Sequence, residues 1–187
     1  VCVADIDERR LPGEAPEAMA RRLGLAKARA VATARPQALI IAADTLVVVE
    51  RDVLGKPADE GEAHAMLVRL RNREHRVLTG LALVDPARQR ESVEVVATRV
   101  TMRDYSDDEI RRYIETGDPM DKAGAYAIQA TDLSPVARIE GSYTNVVGLP
   151  LCNLYRRLRA WDVPVPVDAR AACSLDGGEA THREPAG

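Results

Sequence analysis

The chain contains no phenylalanine, and aromatic side chains make up only 3% of its 187 residues. Its core must therefore be aliphatic, built from the Ala, Val and Leu that carry most of its 46% apolar content. Long apolar runs are also missing, which argues against a membrane span. The first residues include Asp5, Asp7 and Glu8 instead of a basic segment followed by an apolar one, so a secretory signal is not expected. Cysteine is scarce: Cys2, Cys152 and Cys173 are widely spaced and form no CxxC, which removes zinc ribbons and thioredoxin-type pairs and makes a reducing cytosol the simplest setting. There is no surplus of basic charge. A net charge of −3 argues against a dedicated nucleic-acid binder.

Several nucleotide and hydrolase signatures are absent as well. Gly55-Lys56 lacks a glycine five positions before Gly55, where Glu50 stands, and is followed by Pro57, so it is no P-loop. No GxGxxG supports a Rossmann site, and Gly141-Ser142 is not part of a GxSxG elbow. His64, His75 and His182 show no metal spacing and read as solvated or locally bonded residues.

What is present reads as one α/β unit. Val1–Ala4 suggests a short strand running into an acidic loop. Residues 16–34 suggest a helix with Pro16 in its first turn and Met19, Leu23, Ala26 and Ala30 facing inward. Leu39–Ala43 is a continuous apolar run that stops at Asp44-Thr45, the pattern of a buried strand in a largely parallel sheet, continued in extended form over 46–49 and closed by a turn at 50–52. Asp59 and Glu62 suggest a helix start, with Ala63, Met66, Leu67 and Leu70 inward. Strands are expected over 76–84 and 92–102. Ser106 and Glu109 form a capping box for a helix that ends at Gly117, and a last helix spans about 151–159.

Asp44 is the most informative single residue, because open α/β sheets place ligands at the carboxyl ends of strands. Glu8, in the acidic loop, could join it to make a hard-oxygen site for Mg²⁺ or Mn²⁺. Lys27 and Lys56 could neutralise phosphates as point charges. Asp121, Lys122 and Gln129 lie in an aperiodic, glycine-containing stretch of the kind that often lines binding sites. Each residue alone has a blander reading, as a turn carboxylate, a surface lysine or a plain connection.

Together these segments resemble the Maf proteins. The resemblance rests on Ala43-Asp44-Thr45, Leu54-Gly55-Lys56-Pro57 and the run from Thr116 to Gln129. Ile6-Asp7-Glu8, Lys27–Val31, Leu78-Thr79-Gly80 and Asn145–Leu151 support it, all in family order. The resemblance implies a twisted mixed β-sheet flanked by helices, with two lobes around a nucleotide cleft. It also implies cleavage of nucleoside triphosphates between the α- and β-phosphates with a divalent cation. On that basis Asp44 would accept the proton of the attacking water, and Glu8 with Asp44 would hold Mg²⁺ or Mn²⁺. Lys27 and Lys56 would contact the triphosphate, while Thr45 and Gln129 would set a dTTP/UTP preference. A cytoplasmic homodimer with no nucleic-acid or membrane partner is the further expectation. Residues 1–160 would form the catalytic domain and 161–187 a polar, disordered tail. The family also has an N-terminal strand and a Ser-Pro-Arg-Arg loop with no counterpart in this stretch of sequence. The chain as it stands is therefore expected to be poorly active and poorly stable, and a nucleotide-binding or regulatory protein is the rival expectation.

Overall fold

The computed structural model describes residues 2–130, 133–166 and Cys173. The order of elements is α1 (Pro16–Ala34), β1 (Ile40–Val49), β2 (Asp52–Leu54), α2 (Glu60–Leu70), β3 (Glu74–Asp85), β4 (Arg90–Met102), α3 (Asp107–Glu115), β5 (Val136–Glu140), α4 (Tyr143–Val147) and α5 (Leu151–Ala160). Two short 3-10 turns, Asp118–Asp121 and Ala123–Ala125, lie between α3 and β5.

The α/β class holds, and helices flank the sheet. The direction of the strands differs from expectation: in the five-stranded order β2-β1-β3-β4-β5 every described pairing is antiparallel, not mixed. The connections explain this. A two-residue link, Glu50-Arg51, joins β1 to β2, with Glu50 at φ 58°, and a four-residue turn from Pro86 to Gln89 joins β3 to β4. Links that short can only return the chain beside itself. The apolar run 39–43 that suggested a parallel strand enters, from Ile40 on, a ten-residue antiparallel strand. Its inner half is covered on both faces, Leu46 and Val48 packing toward α1 and Val47 and Val49 into the opposite core.

Those two cores divide the molecule. On one face α1 lies across the sheet, packing Met19, Ala20 and Leu23 against Leu46, Val48 and Leu78. On the other, α2, α3 and the 3-10 turns enclose Val77, Val100 and Met102 with Leu67, Leu70, Tyr105 and Tyr113. The inward row of α1 is Met19, Ala20, Leu23, Gly24, Ala28 and Ala32, so Ala26 and Ala30 are not the continuation of the stripe. The reason is size. Ala20, Gly24, Ala28 and Ala32 recur every four residues and form a smooth face along which the helix settles onto the sheet. At its centre a Cβ on Gly24 would stand 2.2 Å from the Gly80 carbonyl oxygen, and a Cβ on Gly80 would stand 1.9 Å from the Ala20 carbonyl oxygen. Helix and strand meet there backbone to backbone.

The caps follow the sequence. Asp59 accepts from the Glu62 amide, and Ser106 with Glu109 forms the full reciprocal box at α3. Cys2–Ala4 is not a strand: these residues join no ladder, and extended chain becomes sheet only by pairing. Cys152, buried on α5, is disulfide-bonded to Cys173 with Cα atoms 4.6 Å apart, a pairing hidden by its 21-residue separation. Cys2 is free and exposed. Among the described residues no helix is long and apolar enough to cross a membrane. Val1 and, of the tail expected over 161–187, all but 161–166 and Cys173 lie outside the described residues, His182 among them.

Candidate active site

β2 pairs only with the end of β1, at Val47, Val48 and Val49. From Ile40 to Leu46 the same edge of β1 has no ladder partner among the described residues, while its other edge is fully zipped to β3. A cleft of about 670 Å³ opens along this bare edge. Because side chains alternate across a strand, consecutive residues enter the cleft from opposite sides of the sheet. Asp44 faces α1, and Thr45 faces the core on the far side.

Asp44 is not at a strand end, as expected, but the fifth residue of a ten-residue strand. It is open to the cleft because the strand beside it is missing on one edge, not because the strand stops. It is 6% exposed, and its ladder partner is Gly80. The glycine contact that lowers α1 onto the sheet therefore sits directly beside it and brings Lys27, one turn on from Gly24, within reach. Lys27 Nζ donates to Asp44 Oδ1 at 2.5 Å and pairs with Glu8 Oε1 at 2.7 Å. The two carboxylates expected to converge do so, with the ammonium between them. Burial raises the Asp44 carboxyl above the ordinary aspartate value, opposed by the bond and charge of Lys27. Burial works against the Lys27 ammonium too, but Asp44 and Glu8 outweigh it and lift its pKa above the usual lysine value. These directions describe one shared arrangement: an ion pair kept charged by proximity in a place that penalises charge.

Glu8 reaches the site on a coil segment. Ile6 packs against the Met19–Leu23 core, and Arg22 grips Glu14 at 2.7 Å while donating to the Arg9 carbonyl. Arg10 closes the segment by donating to the carbonyls of Glu14 and Arg51.

The other side of the cleft carries hydroxyl and amide groups together with lysines, and among the described residues no carboxylate lines it. Thr45 Oγ1 lies 2.8 Å from Thr79 Oγ1 and 3.4 Å from the Gly148 carbonyl. Gln129 is exposed at the rim, and Lys56 is an exposed wall residue with no ion pair among the described residues. The loop carrying Lys56 is tied to the 3-10 turn by Gly124, whose amide donates to the Gly55 carbonyl at 2.9 Å. Gly124 has φ 72°, and a Cβ there would meet Val47 Cγ1 at 2.9 Å. The six residues to which the resemblance gives roles, Glu8, Lys27, Asp44, Thr45, Lys56 and Gln129, line this one cleft, whereas Asp121 does not.

Three further residues contribute, none of them given a role from the sequence. Lys122 also lines the cleft, held by Asp121 at 2.6 Å and Asp118 at 3.1 Å. Its place in the Gly-containing stretch was the available signal. Asn145 fastens α4, and with it Gly148, to the sheet by donating from Nδ2 to the Val77 carbonyl and to Thr98 Oγ1. It opens the Asn145–Leu151 run that supports the resemblance, but nothing in that run shows what it fastens.

The third is His75, which is 2% exposed and bonded through Nε2 to the Tyr126 hydroxyl at 2.7 Å, with the rings edge to face. It props the loop that leads to Gln129. Burial drives its pKa down to about 4. The unfolded chain takes up this proton near 6.5 and the native state only near 4, so stability is full above about 6.5 and falls as the pH drops toward 4. The loss from this group is expected to reach about 3 kcal/mol at pH 4. Urea melts of the native protein and His75→Gln at pH 7 and pH 4.5 measure it. The variant is expected to lose less stability over that interval, and equal losses would refute the assignment.

The chemistry of the two carboxylates fits a divalent cation. Asp44 Oδ2 is buried and has no hydrogen-bond partner, and Glu8 stands close enough to share Lys27. No group of three or more His, Cys, Asp or Glu side chains could hold an ion unaided among the described residues. Two carboxylates with a spare oxygen suit a hard cation that completes its shell with water and phosphate oxygens.

A family profile described as Maf-like protein matches residues 1–161. The chain is 47% identical over 159 residues to the dTTP/UTP pyrophosphatase of Geobacter sulfurreducens, covering 85% of this chain and 83% of that protein. It is 46% identical over 168 residues to the dTTP/UTP pyrophosphatase of Symbiobacterium thermophilum, covering 88% and 84%. With that of Koribacter versatilis it is 49% identical over 156 residues, covering 83% and 80%.

Proposed function

The chain belongs to the family of Maf-like proteins, and from that premise we propose that it hydrolyses nucleoside triphosphates, dTTP and UTP foremost, to the monophosphate and pyrophosphate. The observation that supports this most is the Glu8–Lys27–Asp44 bridge at the open edge of β1, inside a cleft large enough for a nucleotide.

In this reading Asp44 Oδ2 takes a proton from water as the water oxygen bonds to the α-phosphorus and the bond to the bridging oxygen of the β-phosphate breaks. Lys27 holds the other oxygen of the same carboxylate, so the basic atom keeps one orientation. Lys27, Lys56 and Lys122 offset the negative charge of the three phosphates. Asp44 and Glu8 would hold a divalent cation, which supplies charge neutralisation and polarises a phosphoryl oxygen. Thr45 and Gln129 would read the base. The cytoplasmic location and the homodimer implied by the family belong to the same proposal.

The test is pyrophosphate release from a panel of nucleoside triphosphates with Mg²⁺ or Mn²⁺. Release from dTTP and UTP ahead of the purine nucleotides is the expected result. Lys56→Ala, an exposed residue with no packing role, is expected to lose roughly tenfold in kcat/KM, through the loss of one charged contact. A folded protein that binds UTP but releases no pyrophosphate with either cation would replace this reading with that of a nucleotide-binding protein.

A further inference from the structure

Thr79 is fully buried and does not line the cleft, yet it touches the residue that does. It stands directly opposite Thr45 across the β1–β3 ladder, and the two hydroxyls are 2.8 Å apart. Each hydroxyl has one hydrogen to place. For Thr79 the choices are Thr45 Oγ1 at 2.8 Å and the Asn145 carbonyl at 3.5 Å. The second is at the limit of hydrogen bonding, and that carbonyl already accepts from the Gly148 amide at 3.0 Å. No water reaches a side chain buried this completely, so an ill-placed hydrogen there costs the full desolvation of the donor. Thr79 therefore donates to Thr45. Thr45 is half-buried and can accept that bond while turning its own hydrogen outward, toward the cleft or the weakly held Gly148 carbonyl 3.4 Å away.

We infer that Thr79 is a positioning residue for base selection: it fixes the Thr45 hydroxyl as a hydrogen-bond donor to the cleft. The ligand chemistry this favours is a base with a carbonyl oxygen at the recognised edge. Thymine and uracil present such an oxygen, O4, where cytosine presents an amino group that can only donate. Against a donor held from behind, cytosine meets hydrogen with hydrogen. This inference rests on the reading of Thr45 as a base contact, and it adds the group that gives that contact its direction.

The experiment compares kcat and KM for UTP and CTP in the native protein, Thr45→Val, Thr79→Val, Thr79→Ser and the double valine variant. Thr79→Val keeps the shape of the side chain and is expected to lower the UTP to CTP ratio of kcat/KM by roughly tenfold, chiefly through KM for UTP. Thr79→Ser, which keeps the hydroxyl, is expected to keep the ratio. Because Thr79 acts through Thr45, the double variant is expected to show the same ratio as Thr45→Val alone. An unchanged ratio in Thr79→Val, with a lowered one in Thr45→Val, overturns the inference and leaves the base contact standing. So does a ratio in Thr79→Ser as low as in Thr79→Val, which would assign the effect to packing. An unchanged ratio in Thr45→Val overturns the base contact itself and the inference with it.

Discussion

Replacing Asp44 by asparagine is expected to cut pyrophosphate release from dTTP and UTP by roughly a hundred- to ten-thousand-fold in kcat, the range set by removal of a positioned general base. The substitution changes little else. Asparagine has the same shape, its amide oxygen can still accept from Lys27, and Lys27 keeps its ion pair with Glu8. The thermal melting point is accordingly expected to stay close to that of the native protein. KM is expected to change far less than kcat, since the lysines proposed to meet the phosphates remain. The measurement is steady-state kinetics beside a melting curve on the same preparation. A variant that retained a tenth or more of the native kcat would rule Asp44 out as the proton acceptor.

The second large effect concerns stability. Gly80→Ala is expected to cost about 3 kcal/mol, at the upper end of what overpacking a core produces. Most crowded side chains find relief by rotating, but a Cβ on Gly80 meets the Ala20 carbonyl at 1.9 Å, which is backbone and cannot turn aside. The helix must lift, and Met19, Leu23 and Ala28 lift with it. Lys27 rides on the same helix, so activity is expected to fall together with stability. For a domain of this size the melting temperature should drop by roughly 6–12 °C. Gly55→Ala is the stability control, because a Cβ there meets nothing within 4 Å. If the two alanine variants melted alike, the close approach of helix and strand would not be a constraint on the fold.

That contact also shows where the sequence was legible and where it was not. The span of α1, the caps of α2 and α3 and the strands β3 and β4 follow from local signals: periodicity, Asp59, Ser106 with Glu109, and turn residues. The face of α1 did not, because Ala26 and Ala28 look alike until one knows that Gly24 lies against Gly80, a non-local fact. The direction of the strands was misjudged for a similar reason. The run 39–43 was read as doubly buried, yet Ile41 is exposed and the doubly covered part of the strand is 46–49, a condition that parallel and antiparallel strands can both meet. At the site, motif order brought Glu8, Lys27, Asp44, Thr45, Lys56 and Gln129 into one list, and the structure lines one cleft with all of them. The roles of the supports behind them were not legible: Thr79 and Asn145 stood within motifs of the resemblance and His75 read as a solvated or locally bonded residue, but nothing local showed what each holds. Each is an ordinary polar residue whose significance arises from the strand or loop opposite.

The two carboxylates of the site are moored differently. Asp44 is part of a ladder and a core, and it can leave its place only if the sheet comes apart. Glu8 arrives on a coil whose hold on the body is largely electrostatic, through Arg22, Glu14 and Arg10, with Ile6 as its apolar anchor. Arg22 keeps the Glu14 carboxyl down to about 2, so mild acid leaves this latch fastened. Added salt is the stronger lever, since it weakens attraction between charges near the surface while leaving aliphatic packing intact. The two carboxylates thus answer to different solvents, and a rise in ionic strength is expected to loosen Glu8, and with it the cation seat proposed above, well before it threatens the fold.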